Sequence, residues 1–304
     1  MNPTNPAASN QAGSEPNQPT EPTSNQAGRI SRRRLADIKT GLSLCDRDVL
    51  TLLGQHRFLT SRQVAGLAHA DAASPLAGVR AAQRQLQKLA GLKLVDHLPQ
   101  KIGGQGGGQT QTVWHLSETG HRLQATTNQT SQPASSRYRY REPSLQFLNH
   151  TLRVADIRLI LEQARQTTNG KELSLVEIEP VCWRHWVGPY GVPAVLKPDL
   201  YVELADQQFD YYWFIEADLG SEHLPAIIRK ANIYRAYQRT GREQTRLDGI
   251  FPLVLWVTPD QHRADQITAA LQADPNLDQQ LHQTVPIDKL AGYLNSPNPG
   301  WQHP

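Results

Sequence analysis

Hydrophobic and polar positions divide the chain into a polar head and two folded stretches. Residues 1–28 (MNPTNPAASNQAGSEPNQPTEPTSNQAG) are mostly Asn, Gln, Pro, Ser and Thr, with no aromatic or large aliphatic residue after Met1. Such a segment cannot bury enough apolar surface to offset its chain entropy, so it reads as a disordered tail. Folded sequence is expected from about Leu42. Val49, Leu50, Leu52 and Leu53 predict a helix over 45–56, and Thr60-Ser61 caps a short amphipathic helix after it. Val79, Ala82, Leu86 and Leu89 predict a longer helix over 76–90 that ends at Gly91. LKLVDHL (92–98) and TQTVWHL (110–116) alternate like strands around a flexible, glycine-rich tip at 103–108.

The second stretch reads as αβββαβα. A helix is predicted over 145–166, strands over 173–181, 195–204 and 209–219, and a helix over 224–239. An apolar strand over 249–258, a closing helix over 261–273 and a short element near 287–294 follow. The boundaries expected are therefore a tail 1–28, a first domain 29–123, a linker 124–144, a second domain 145–275 and a tail 276–304. In the linker, Arg137, Arg139 and Arg141 alternate with Tyr138 and Tyr140, the pattern of an arm lying on DNA or of a plain tether.

Composition removes several classes. No apolar run reaches the roughly 18–20 residues that span a bilayer, and the polar start has no apolar core of a signal peptide. Two distant cysteines, Cys45 and Cys182, give neither a disulfide framework nor a thiolate cluster and fit a reducing cytoplasm. Charge then changes the picture. The net +3 of the chain conceals 17 bases against 7 acids over 29–143, and 14 bases against 19 acids over 144–304. A basic half joined to an acidic half points to a nucleic-acid reader coupled to something else.

In the basic half, the order helix, capped helix, basic helix and glycine-tipped hairpin is that of a winged helix-turn-helix. Arg80, Arg84 and Lys88 recur at i, i+4, i+8 on the third helix and would face the major groove of double-stranded DNA, with Lys101 on the wing. Arg32, Arg33 and Arg34 form either a phosphate-touching arm or the solvated start of a helix. The glycine run has strands on both sides and no Lys-Ser/Thr after it, which is the setting of a hairpin tip and not of a nucleotide loop.

In the acidic half, Glu216 and Asp218 alternate onto one face at the end of an apolar strand, and Asp199 on the preceding strand adds a third carboxylate. Acids so close raise one another's pKa unless a cation compensates. A divalent metal or a nearby Lys or Arg would do so, and oxygen-only ligation by Asp199, Glu216 and Asp218 suits Mg²⁺ or Mn²⁺. Lys230 lies four residues before Tyr234, so the two could share a helix face one turn apart.

Pro198-Asp199, Glu216 and the αβββαβ order resemble the Pro-Asp…(Asp/Glu)-x-Lys nuclease superfamily, whose fold is restriction-endonuclease-like. Asp218 stands where that pattern has lysine, and in some branches the lysine migrates to the next helix, where Lys230 is available. Together with LTSRQV at 59–64, VWHLSETG at 113–120, Phe147-Leu148-Asn149-His150 and Ile215-Glu216-Ala217-Asp218, the chain resembles the replication-relaxation family over about 42–273. The resemblance implies an α/β protein, a winged helix followed by a nuclease-like domain, acting in plasmid or mobile-element replication, relaxation or mobilisation.

Two readings follow. In the first, Asp199 and Glu216 hold a metal that activates water on a phosphodiester, Lys230 assists, and an acid on the first helix (Asp156 or Glu162) completes the site of a Mg²⁺-dependent nickase. In the second, the fold is a non-catalytic accessory factor or regulator, and the absent in-place lysine leans towards it. A homodimer is compatible with either. A tyrosine relaxase would use Tyr211, Tyr212, Tyr234 or Tyr237, but His150, His185, His223 and His262 lack the His-x-His spacing it needs.

Overall fold

A computed structural model describes residues 30–99, 102–104, 108–126, 142–167 and 172–296. The expected tail 1–28, Lys101, the wing tip at 105–107 and the Arg/Tyr run at 137–141 lie outside the described residues.

Folding starts earlier than Leu42. Arg32–Gly41 is a helix, α1, capped by the Ser31 side chain, with Leu35 and Ile38 buried and Arg32, Arg33 and Arg34 exposed. The three arginines stand exposed at the start of this helix. Leu44–His56 (α2) opens with a capping box between Ser43 and Asp46, and Ser61–Ala68 (α3) with one between Thr60 and Gln63. The short strand Leu59–Thr60 (β1) joins these two helices. Pro75–Gly91 (α4) has Pro at its first position and Gly78, Ala82, Leu86 and Leu89 on its buried face. The left-handed residue beyond it is Lys93 (φ 58°), not Gly91.

Val95–His97 (β2), Ile102–Gly104 (β3), Gly108–Gln111 (β4) and Val113–Leu116 (β5) follow. The single strand expected over 110–116 is therefore two. β5 is central to an antiparallel sheet of order β1-β5-β2, while β3 and β4 form a separate ribbon. Glu118–Ala125 (α5) closes this half, and a Cβ on Gly120 would meet the Leu94 carbonyl oxygen at 2.1 Å.

Leu145–Thr167 (α6) belongs to both halves. Ala155 sits in the core formed by α2 to α5, Leu148 and Leu152 pack with Phe58, Leu98 and Val113, and Val154, Ile157 and Leu161 enter the core of the large sheet. A helix buried on more than one side has little amphipathic signature, which is why its faces are hard to read from sequence. α3 lies against it closely enough that a Cβ on Gly66 would meet Leu159 Cδ1 at 2.4 Å. The Gln63 side-chain amide also donates to the Leu152 carbonyl (2.9 Å) and Asp156 (2.7 Å).

The large sheet has the order β12-β11-β10-β9-β6, built from Glu172–Ile178 (β6), Leu200–Ala205 (β9), Asp210–Ala217 (β10), Leu253–Thr258 (β11) and His282–Pro286 (β12). β6, β9 and β10 pair antiparallel, and β10, β11 and β12 pair parallel. α6 and Leu290–Asn295 (α10) cover one face. Leu224–Gln238 (α7) and Gln261–Ala273 (α9) cover the other. β11 is buried at every position, as a strand covered on both faces must be. The mixed α/β class follows directly.

Three expectations are corrected. The strand 195–204 is two, because Lys197-Pro198-Asp199 interrupts it. Its first part, Pro193–Leu196 (β8), pairs in a hairpin with Arg184–Val187 (β7) outside the large sheet. Arg242–Arg246 forms a short helix, α8, after α7. The tail expected from 276 is folded through Asn295, since Val285, Leu290 and Leu294 are buried in the sheet's core. No described helix is long and apolar enough to cross a membrane.

Candidate functional site

The backbone of β10 alternates its side chains between the two helical layers. Trp213 and Ile215 face α6, whereas Phe214 and Glu216 face α7. Glu216 is therefore an acid in an otherwise apolar layer, 2% exposed. Its two oxygens accept from Lys230 and from the Tyr234 hydroxyl, one turn apart on α7. Burial pushes the Glu216 carboxyl up to about 8; Lys230 opposes this and the Asp199 charge adds to it. Burial works against the Lys230 charge, but Glu216 and Asp199 outweigh it and raise its pKa.

Asp199 sits at the entry to β9, beside the end of β10. One oxygen accepts the Ala217 N–H at 2.8 Å, and the other meets His150 Nε2, from the first turns of α6, at 3.2 Å. Burial would raise its pKa, but Lys230, His150 and the Ala217 N–H together hold it below the usual carboxylate value. The Asp199 hydrogen bond in turn raises His150 against its burial. Asp199, Glu216 and Lys230 thus converge. Sequence reasoning noted only that His150 lacks the His-x-His spacing and missed its place beside Asp199, because a contact 49 positions away leaves no local signal.

The carboxylates lie deep, while the side chains of His150 and Lys230 are 27% and 28% exposed. A ligand approaching from solvent therefore meets two nitrogen donors before it meets an acid. Cys182 is fully buried behind Pro198 and donates to its carbonyl (3.0 Å); burial and the nearby acids push the thiol up, which makes it inert.

Asp218 does not join this cluster. Both its oxygens receive the Arg263 guanidinium of α9, at 2.8 and 3.0 Å, and one also accepts the Gly220 N–H at 3.0 Å. The side chains share a strand face, but the chain leaves β10 after Ala217, and Asp218 turns towards α9. Asp156 is held by Gln63, and Glu162 faces Arg158 at 3.8 Å. Among the described residues, no group of three or more His, Cys, Asp or Glu side chains is placed to hold a metal ion. Asp199 and Glu216 leave two carboxylates, and Mg²⁺ is commonly held on one or two alongside water and substrate phosphate.

In the basic half, Leu76, Arg80, Gln83, Arg84 and Gln87 are exposed along one side of α4, and that helix contains no acid. Lys88 differs. Its ammonium lies 2.5 Å from Asp46 of α2, which is itself capped to Ser43. Lys88 and these caps hold Asp46 below its usual value against burial. Arg80 and Arg84 thus remain on the outward face, Lys88 is ion-paired to Asp46 with its side chain 52% exposed, and Gln83 and Gln87 join the face unannounced by charge.

A model of the replication-relaxation family matches residues 50–254. No curated protein and no solved structure matches the chain. The family match starts within α2 and ends in β11, so it takes in the α4 face and the Asp199 cluster alike. This chain belongs to the replication-relaxation family.

Proposed function

We propose that this protein binds double-stranded DNA in plasmid or mobile-element replication or relaxation, through a winged helix-turn-helix whose recognition helix is α4. The observation that carries the reading is the acid-free outward face of α4, with Arg80, Gln83, Arg84 and Gln87 in line. Arginine matches guanine and glutamine matches adenine in the major groove, so this face offers base-reading donors as well as charge. The β3–β4 ribbon would act as the wing, and the β6–β12 sheet with its helices as a nuclease-like body.

The test is a salt titration of duplex binding. Each phosphate contact removed lowers the salt slope by about one unit. Arg80→Ala with Arg84→Ala is expected to weaken binding and flatten the slope, and Lys88→Ala to leave the slope unchanged. Unchanged binding in the Arg80/Arg84 double variant means that α4 is not the reader.

A second reading is favoured by the convergence of Asp199, Glu216 and Lys230. In it Asp199 and Glu216 would hold Mg²⁺ or Mn²⁺, which when bound supplies an activated water. Lys230 and His150, the exposed members, would engage the phosphate. Nicking of supercoiled plasmid by the wild type, lost in Asp199→Ala and Glu216→Ala, is the expected result under this reading. Equal nicking in all three proteins leaves the DNA-binding reading alone.

A further inference from the structure

We propose that the β7–β8 hairpin is a DNA contact of the acidic half, and that Tyr190 at its tip stacks on an unpaired base beside the Asp199 cluster. The proposal rests on the DNA-binding reading and adds a second point of contact to it.

The hairpin grows out of the cluster. It leaves the body at Cys182, which bonds the Pro198 carbonyl, and returns through Lys197 and Pro198 into Asp199. Its base is fixed. Trp186 packs on Tyr237 with ring centroids 5.1 Å apart, and Leu196 enters the core of the α7 face. Arg184 is clamped to Glu243 at 2.7 Å and to Glu177 at 3.1 Å, and Arg242 of α8 donates to the His185 carbonyl at 3.2 Å. The hairpin is thus a rigid projection.

The tip has the opposite character. Val187, Tyr190 and Val192 are 67%, 102% and 61% exposed, which is a large apolar surface to leave in water. Tyr190 also sits at φ 60°, ψ 21°, a left-handed conformation that a bulky side chain rarely adopts. The fold holds an aromatic ring at full exposure in a strained turn, closed by Gly188 N–H to the Val192 carbonyl at 2.8 Å. A strained, over-determined residue is the kind found at ligand contacts.

Charge selects the occupant. Residues 180–198 contain no acid, inside a half that has 19. Lys197 and Arg242 are exposed at the base of the hairpin, Lys197 lying over the Trp183 ring at 4.5 Å and Arg242 on the His185 carbonyl. An exposed ring at the tip with exposed cations at the base matches a nucleic-acid strand running along the hairpin, whose bases stack on aromatics while its phosphates meet the charges.

The experiment compares a fluorescent duplex with the same duplex carrying a bubble of unpaired thymines. Tyr190 touches no core, so its variants fold, as circular dichroism will verify. Tyr190→Ala is expected to weaken bubble binding about tenfold, the scale of one lost base–aromatic stack, and to leave duplex binding unchanged. Tyr190→Phe is expected to keep both. If Tyr190→Ala and Lys197→Ala bind the bubble like wild type while Arg80→Ala with Arg84→Ala loses the duplex, the hairpin proposal falls and the DNA-binding reading stands. If the wild type binds neither DNA, both fall. If light scattering shows that Tyr190→Ala turns a dimer into a monomer with the bubble preference intact, the tip is a contact between copies and the proposal is overturned.

Discussion

At the scale of single residues, the acids of the second half divide by their partners. Asp218 and Arg263 form a two-pronged pair, with side chains 1% and 10% exposed. Removing one partner of a buried pair leaves an uncompensated charge and typically costs about 3–5 kcal/mol. Asp218→Ala is therefore expected to lower stability in urea by about that amount without any metal present. A metal ligand with no such partner would behave oppositely, because deleting a lone acid relieves repulsion. His56 offers a second test. It is 2% exposed, and neither ring nitrogen has a hydrogen-bond partner among the described residues. Burial, with the Arg158 charge adding, pulls its pKa down to about 3. A folded-state value below the ordinary 6.5 means that only the unfolded chain takes up a proton between the two. Its contribution is thus complete above pH 6.5 and is lost as pH falls towards 3. Relative to His56→Leu, the wild type should lose about 1.4 kcal/mol per pH unit below 6.5. Parallel stability curves for the two proteins would refute this. Of these residues, the Lys230 to Tyr234 spacing was readable because four positions make one helical turn. His150 and Arg263 were not, because their partners lie 49 and 45 positions away.

At the scale of elements, helices with sharp caps and a single apolar face were legible. The limits of α2, α4, α7 and α9 fall within one residue of the spacing argument. What escaped lacks either signal. β12 is His-Gln-Thr-Val-Pro, and only its final Val-Pro is buried, so nothing in it alternates like a strand. β8 and β9 read as one run because apolar residues flank Lys197-Pro198-Asp199 on both sides. The importance of β12 can be measured. A chain ending at residue 275 removes the partner of β11 and the buried Val285, Leu290 and Leu294. It is expected to lose cooperative unfolding, and a sharp transition in that protein would show the strand to be dispensable. α5 gives a narrower case. Gly120→Ala sets a methyl against the Leu94 carbonyl, which is backbone and cannot swing aside. The expected loss is about 1–3 kcal/mol by overpacking, read from the urea midpoint.

At the scale of the whole molecule, charge and core divide differently. Charge separates a basic half from an acidic one, and sequence made that division plain. The core does not respect it, because α6 carries Ala155 into one half and Ile157 and Leu161 into the other. A single thermal transition is therefore expected, with Trp fluorescence and helical circular dichroism changing together. Two resolved transitions would mean that α6 does not join the halves.

α6 has a further consequence. His150 near its start touches Asp199, and its middle is bonded by Gln63 at the start of α3, the helix packed beside α4. The α4 face proposed to read bases and the Asp199 cluster are therefore fastened to one rod. If both meet DNA as proposed, the separation between them corresponds to a fixed length of double helix. Adding or deleting a few base pairs between the two contacts in a target should rotate one of them off its face of the DNA, so the spacing within the target would be measured by α6.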